Sequence, residues 1–151
     1  MNMPLKSTYY TLLLIDDDVE EFELFEVAAA ESGLPITLSH TSSFTIEKLK
    51  TLPQPDFIFL DINMPVFDGF YWLKKIREHI SEQIPIIIYS TTLNPQRVNL
   101  AYELGANLFL SKPDTVGTLI TALEKILHMD WSNPRELAKS SFDKEQFHLT
   151  Y

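Results

Sequence analysis

At 151 residues, with 45% hydrophobic and 22% charged side chains, the chain reads as one globular domain and not a disordered segment. A chain of that size buries about two-thirds of its surface. Its formal charge of −9 comes from 21 acidic against 12 basic residues with no basic cluster beyond Lys74-Lys75, which argues against direct nucleic-acid binding.

The opening MNMPLKSTYY carries one lysine and meets Asp16 too soon for a signal peptide. No apolar run approaches the roughly 18 residues that span a bilayer. The absence of cysteine excludes disulfides, thiolate metal sites and a cysteine nucleophile, and fits a reducing compartment, so a cytoplasmic location without membrane association is expected.

Residues 1–9 read as an N-terminal extension. The first apolar run, TLLLI (11–15), is a strand that ends in Asp16, Asp17 and Asp18. Residues 19–32 follow with helical spacing: Phe22, Phe25, Val27, Ala28 and Ala29 make an apolar face, acids line the other side, and Gly33 is a stop. ITLSH (36–40) is the most polar strand and suits a sheet edge, and residues 43–52 give a second helix through Phe44, Ile46, Leu49 and Leu52. FIFL (57–60) runs straight into Asp61, and residues 68–80 carry Phe70, Leu73, Ile76 and Ile80 at helical intervals. PIIIYS (85–90) leads to Thr91-Thr92, then a helix over 95–104 with Val98, Ala101, Tyr102 and Leu104 before Gly105. NLFLS (107–111) leads to Lys112-Pro113, and residues 114–128 place Val116, Leu119, Ile120, Leu123 and Leu127 on one face.

Wholly apolar strands joined by helical crossovers mean a parallel sheet covered on both faces. An α/β, doubly wound five-stranded parallel sheet in the flavodoxin-like order 2-1-3-4-5 is expected over residues 10–129. The remaining segment, 130–151, starts with a Pro-containing turn and becomes more polar.

Doubly wound sheets bind ligands outside the carboxyl ends of their strands, where the strand order reverses. Taken singly, an Asp or Ser at a strand end is an N-cap or turn former, and Asp18 suits that role. Here, however, Asp16, Asp17, Asp61, Ser90 and Lys112 all emerge at one edge. Two carboxylates about 4 Å apart repel by roughly 4 kcal/mol at an effective dielectric of 20. Asp16, Asp17 and Asp61 face a single lysine, so a shared proton or a divalent cation would relieve them. Oxygen-only ligands select a hard ion such as Mg²⁺. His40, His79, His128 and His148 are placed away from this edge, which argues against zinc. A carboxylate beside Mg²⁺, with a lysine and a hydroxyl nearby, is equipped for phosphoryl transfer, Asp61 being the nucleophile.

LLLIDDD, FIFLDINMPVFDGF, IIIYSTT and GANLFLSKP, in this order, resemble the receiver domain of two-component response regulators, the group that includes the single-domain chemotaxis regulator. The resemblance covers about residues 10 to 129. It implies that Asp61 is the phosphoacceptor, that Asp17 touches Mg²⁺ directly and Asp16 through water, and that Asn63 lends its backbone carbonyl to the metal. It further implies that Ser90 and Phe109 are switch residues, that Lys112 binds the phosphoryl group and that the Lys112–Pro113 bond is cis. Asn63 and Thr92 would tune phosphoryl lifetime. Met64-Pro65 and Asp68-Gly69 match the family's usual loop. A sensor histidine kinase or phosphotransfer protein would be the donor, and the domain would catalyse only its own phosphorylation and dephosphorylation.

Movement of Ser90 toward the phosphoryl group, followed by Phe109, would remodel a protein-binding face for a downstream target, with Leu93, Val98, Tyr102 and Phe109 its candidates. The 22 residues after Met129 are too short for an output domain, so a C-terminal extension is expected. Its Trp131, Leu137, Phe142, Phe147, Leu149 and Tyr151 favour docking on the domain itself or bridging a homodimer over a disordered end. Such tails resemble those of regulators paired with phytochrome-type kinases. The rival reading is a haloacid-dehalogenase-type phosphatase, which also uses an aspartate nucleophile and Mg²⁺ but needs a second aspartate where Asn63 stands. A degenerate receiver would lack one of the five site residues, and a flavodoxin-like cofactor binder would not place the acidic DDDVEE where a phosphate must sit.

Overall fold

The computed structural model describes residues 9–41, 45–64, 68–91 and 94–151. In chain order the elements are β1 (Tyr10–Ile15), α1 (Val19–Glu31), β2 (Ile36–Thr41), α2 (Ile46–Thr51), β3 (Phe57–Leu60) and α3 (Gly69–His79). They continue with β4 (Ile86–Ser90), α4 (Pro95–Glu103), β5 (Leu108–Ser111), α5 (Val116–Leu127), α6 (Pro134–Asp143) and β6 (His148–Leu149). All the strand pairings are parallel, in the order β2-β1-β3-β4-β5-β6. The flavodoxin-like core order is therefore as expected, with the polar β2 at one edge. No described helix is long and apolar enough to cross a membrane.

The strands are apolar throughout because both faces are covered. Leu13, Ile15, Ile58, Leu60, Ile86, Ile88 and Phe109 point to the side of α2, α3 and α4, where Leu49, Leu73, Ile76, Val98 and Ala101 meet them. The alternate residues Leu12, Leu14, Phe57, Phe59, Ile87, Tyr89, Leu108 and Leu110 face α1 and α5, packing with Phe25, Ala28, Leu119, Ala122, Leu123 and Ile126. Each helix start is held by a side chain that accepts a backbone N–H: Asp18, Thr45, Asp68, Asn94, Thr115 and Asn133. Asp18 takes the capping role expected of it.

One departure from expectation is the strand count. Residues 130–151 are built into the fold, so the sheet has six strands instead of five. Trp131 donates its indole N–H to Ile126 O at 2.7 Å and sets its ring against Phe57. The chain then turns into α6, with Pro134 in its first turn, and β6 pairs along β5 with Phe109 opposite His148 and Leu110 opposite Leu149. Of the two options for the tail, docking on its own domain is the one realised. The physical reason is the free edge of β5: Phe109 N–H finds Phe147 O at 3.0 Å, and Phe147 and Leu149 are buried against the core. A strand of only two residues is too short to leave a period-two signature, which is why it was not expected.

Candidate functional site

The carboxyl ends of β1, β3, β4 and β5 meet at one edge of the sheet, and the register fixes how. β1 and β3 align Ile15 with Leu60, so Asp16 and Asp61, next in each strand, leave the core side by side. Asp61 N–H still bonds Ile15 O at 3.0 Å, and Lys112 N–H bonds Ser90 O at 2.9 Å. The ladder therefore holds the backbone of the site residues up to the rim.

Asp16 is fully buried, with Oδ1 accepting from Asp18 N–H at 2.9 Å and Oδ2 from Lys112 Nζ at 3.0 Å. Asp61 is 3% exposed; its Oδ1 accepts from Asn63 N–H at 3.0 Å and its Oδ2 lies 3.8 Å from Lys112 Nζ. Asp17 is exposed at the rim. One carboxylate oxygen from each of Asp16, Asp17 and Asp61 lies within 4.8 Å of the others. Burial pushes the Asp61 carboxyl from an ordinary 3.8 up to about 6; Asn63 N–H and Lys112 pull it back, while Asp16 and Asp17 add to the rise. For Lys112, burial would lower the pKa, yet the carboxylates of Asp61 and Asp16 outweigh it and hold the ammonium above its usual value. Lys112 Nζ sits over the Tyr89 ring, 5.4 Å from its centroid.

Three hard oxygen donors around one ammonium, with a carboxyl that resists ionisation, fit a small divalent cation such as Mg²⁺. The histidines do not compete, although one expectation about them needs correction. His40 is at this edge: its Nε2 lies 2.7 Å from the backbone oxygen of Asp16. A carbonyl only accepts, so Nε2 carries the proton there and is not a ligand. The Ser111 hydroxyl is 2.7 Å from His148 Nε2.

Ser90 lies buried at the end of β4, and its Oγ accepts from Asn63 Nδ2 at 2.9 Å. Phe109 is fully buried, backed by β6, with its ring edge-on to His148 at 5.1 Å. Among the candidate surface residues Val98 is also buried, and Tyr102 stacks on Phe142 with ring centroids 3.9 Å apart. Leu93, Thr92 and Pro65 lie outside the described residues. The Lys112–Pro113 bond is trans, contrary to the expected cis form. Lys112 reaches the acids from this geometry.

Two neighbours were not legible in the sequence. Glu21, on α1, has a buried Oε2 without a hydrogen-bond partner among the described residues; burial raises its carboxyl pKa, while Lys112 opposes the rise. Arg97, on α4, donates from Nη1 to Asn63 Oδ1 at 3.3 Å.

The loop that carries Asp61 is closed by Gly69. A Cβ there would run into the Asp61 carbonyl oxygen and lie 2.7 Å from Ile62 Cα. Gly69→Ala should cost about 1–3 kcal/mol in overpacking, measurable as a lower midpoint in chemical denaturation.

The model of the response regulator receiver domain matches residues 12–124. The sensory transduction protein BceR of Halalkalibacterium halodurans is 32% identical over 120 residues, covering 78% of this chain and 50% of that protein. The response regulator protein GraR of Staphylococcus aureus is 38% identical over 115 residues, covering 76% of this chain and 50% of its own. The chain thus spans about half the length of these curated relatives. Among solved structures, a putative response regulator from Chloroflexus aurantiacus aligns with a TM-score of 0.64 and 26% identity, over 81% of this chain and 100% of that one. The phosphorylated cyanobacterial phytochrome response regulator RcpA shares the fold, with a TM-score of 0.68 at 23% identity over 79% and 91% of the two chains.

Proposed function

Because this chain belongs to the response regulator receiver domain family of two-component systems, we propose that it takes up a phosphoryl group on Asp61 and signals through a protein-binding face. The observation that carries this reading is the pairing of a buried, hard-to-ionise Asp61 with Asp16, Asp17 and Lys112 at one sheet edge. Asp61 Oδ2, the oxygen not engaged by Asn63 N–H, attacks phosphorus; the bond from phosphorus to the donor breaks, and the donor leaves with its electron pair. A histidine kinase or phosphotransfer protein would be that donor in a phosphorelay. Mg²⁺, when held by Asp16, Asp17, Asp61 and the Asn63 carbonyl, would neutralise phosphoryl oxygens and favour the ionised Asp61. Lys112 would ion-pair with the phosphoryl group, and Ser90 O–H would donate to it. Phe109, edge-on to His148 at 5.1 Å, would pass a shift of Ser90 to the tail-covered side of β5 and so to a downstream partner. A cytoplasmic location is part of the same proposal.

A haloacid-dehalogenase-type phosphatase would need a proton-shuttling aspartate where Asn63 stands. The Asn63 amide is instead occupied by Ser90 and Arg97. Incubation with acetyl phosphate and Mg²⁺ should add one phosphoryl group by mass, abolished in Asp61→Asn and by a chelator. Catalytic turnover of simple phosphate esters would sink the signalling reading in favour of the phosphatase.

A further inference from the structure

Asn63 follows Asp61 by two residues, its own N–H is bonded to Asp61 Oδ1 at 3.0 Å, and its side chain reaches Ser90 at the same sheet edge. That side chain is held at both ends. A guanidinium has donors only, so the group facing Arg97 Nη1 at 3.3 Å must be the amide oxygen of Asn63. The amide nitrogen is thereby turned to Ser90 and donates to its Oγ at 2.9 Å. Arg97 itself is anchored: it is half-buried in the first turns of α4, and its guanidinium carbon lies 5.5 Å from the centre of the Phe70 ring, within cation–π reach. One side chain on α4 therefore sets the orientation of the amide beside the nucleophile, through a chain that runs Arg97 to Asn63 to Ser90.

The geometry points to Arg97 as a positioning residue that prolongs the phosphorylated state of Asp61 by clamping the Asn63 amide away from attacking water. This rests on the phosphoacceptor reading above. Loss of the phosphoryl group requires a water oxygen to bond to phosphorus while the phosphorus–Asp61 bond breaks, which returns the carboxylate and releases inorganic phosphate, with the water's protons going to phosphate and solvent. An amide carbonyl able to accept from that water would align it. In the clamped state the Asn63 side-chain oxygen is turned toward Arg97 and the amide nitrogen toward Ser90 Oγ, so the amide is not free to rotate its remaining lone pair onto that water. Without Arg97 the amide can rotate and offer its oxygen at the acceptor.

The test loads wild type, Arg97→Ala, Arg97→Lys, Asn63→Ala and the Arg97→Ala/Asn63→Ala double variant with acetyl phosphate and Mg²⁺. The donor is then removed and the intact-mass signal of phosphoprotein is followed with time. Arg97→Ala should shorten the half-life about fivefold, the weight of one hydrogen bond. Arg97→Lys, which still donates to the amide oxygen, should recover at least half of that loss. In the Asn63→Ala background, removal of Arg97 should change the half-life less than twofold, because the group it acts through is gone. A half-life in Arg97→Ala that is unchanged or longer overturns the inference, as does no recovery in Arg97→Lys or equal shortening in both backgrounds. Wild type that takes up no phosphoryl group overturns the phosphoacceptor reading instead, and the inference with it.

Discussion

Asp61→Asn should make the metal-free protein more stable at neutral pH, raising its thermal midpoint by about 4–8 °C. The argument starts from the acid cluster. Burial lifts the Asp61 carboxyl from 3.8 to about 6, roughly 2 units, and at about 1.36 kcal/mol per unit the ionised form costs the fold about 3 kcal/mol. The Lys112 attraction is already contained in that shift; asparagine keeps an oxygen for the Asn63 N–H, whose bond is 3.0 Å long, but brings a buried NH2 in place of the second oxygen, which costs about 1 kcal/mol, so a net gain of about 2 kcal/mol is expected. The pH dependence follows from the same shift. The folded state holds this proton more tightly than the unfolded chain does, so the contribution is most favourable below about pH 3.8 and is lost as the pH rises through about 6. That downward slope should be missing from Asp61→Asn. Mg²⁺ should reverse the order, since a ligand at a hundred times its Kd adds about 2.7 kcal/mol to whichever protein binds it, and the variant has lost one of three carboxylates. Calorimetry in chelator and in Mg²⁺, across pH 4 to 8, decides the matter. A variant midpoint at or below wild type in chelator would mean that Asp61 is not a strained member of the cluster.

The site was readable in advance wherever chemistry coincided with a strand end. Asp16, Asp17, Asp61, Ser90 and Lys112 each follow an apolar run, and parallel register then leaves them no other place to go. The polar β2 and the Asp18 cap were readable for equally local reasons, as edge composition and as an acid just before a helix. What escaped was set by side-chain reach across the fold. Arg97 meets Asn63 over a separation of 34 residues, and His40 meets the Asp16 carbonyl over 24. No periodicity encodes either contact. The trans Lys112–Pro113 bond departs from what the family resemblance implied, and no local feature of the residues pointed to it. The tail escaped because its apolar residues are spread through a polar segment. Their partners, Tyr102 and Phe109, belong to elements laid down much earlier in the chain.

Phe147→Ala is expected to cost about 3 kcal/mol and to open the edge of β5. Phe147 is 2% exposed, and its ring stands edge-on to Tyr102 at 5.5 Å and to Phe142 at 5.8 Å, beside the Tyr102–Phe142 stack. Burying a phenyl group of this kind is worth about 3–5 kcal/mol by truncation to alanine. The lower end applies because the Tyr102 and Phe142 rings on either side can close over part of the space left. Two signals separate local undocking from global weakening. If β6 lets go by itself, the Phe109 amide, now bonded to Phe147 O at 3.0 Å, should lose its protection from hydrogen exchange, while the amides of β1 and β3 keep theirs. If the tail is one cooperative unit with the sheet, all of them should fall together and the thermal midpoint should drop by about 6–12 °C. The second outcome is expected, because Phe147 shares its cluster with Leu13, Ile58 and Ile86 in the sheet, and Asn107, buried at the start of β5, donates to Pro134 O at 2.9 Å. An unchanged midpoint together with unchanged protection at Phe109 would mean that the tail merely rests on the domain, and the six-stranded sheet would then have no energetic basis.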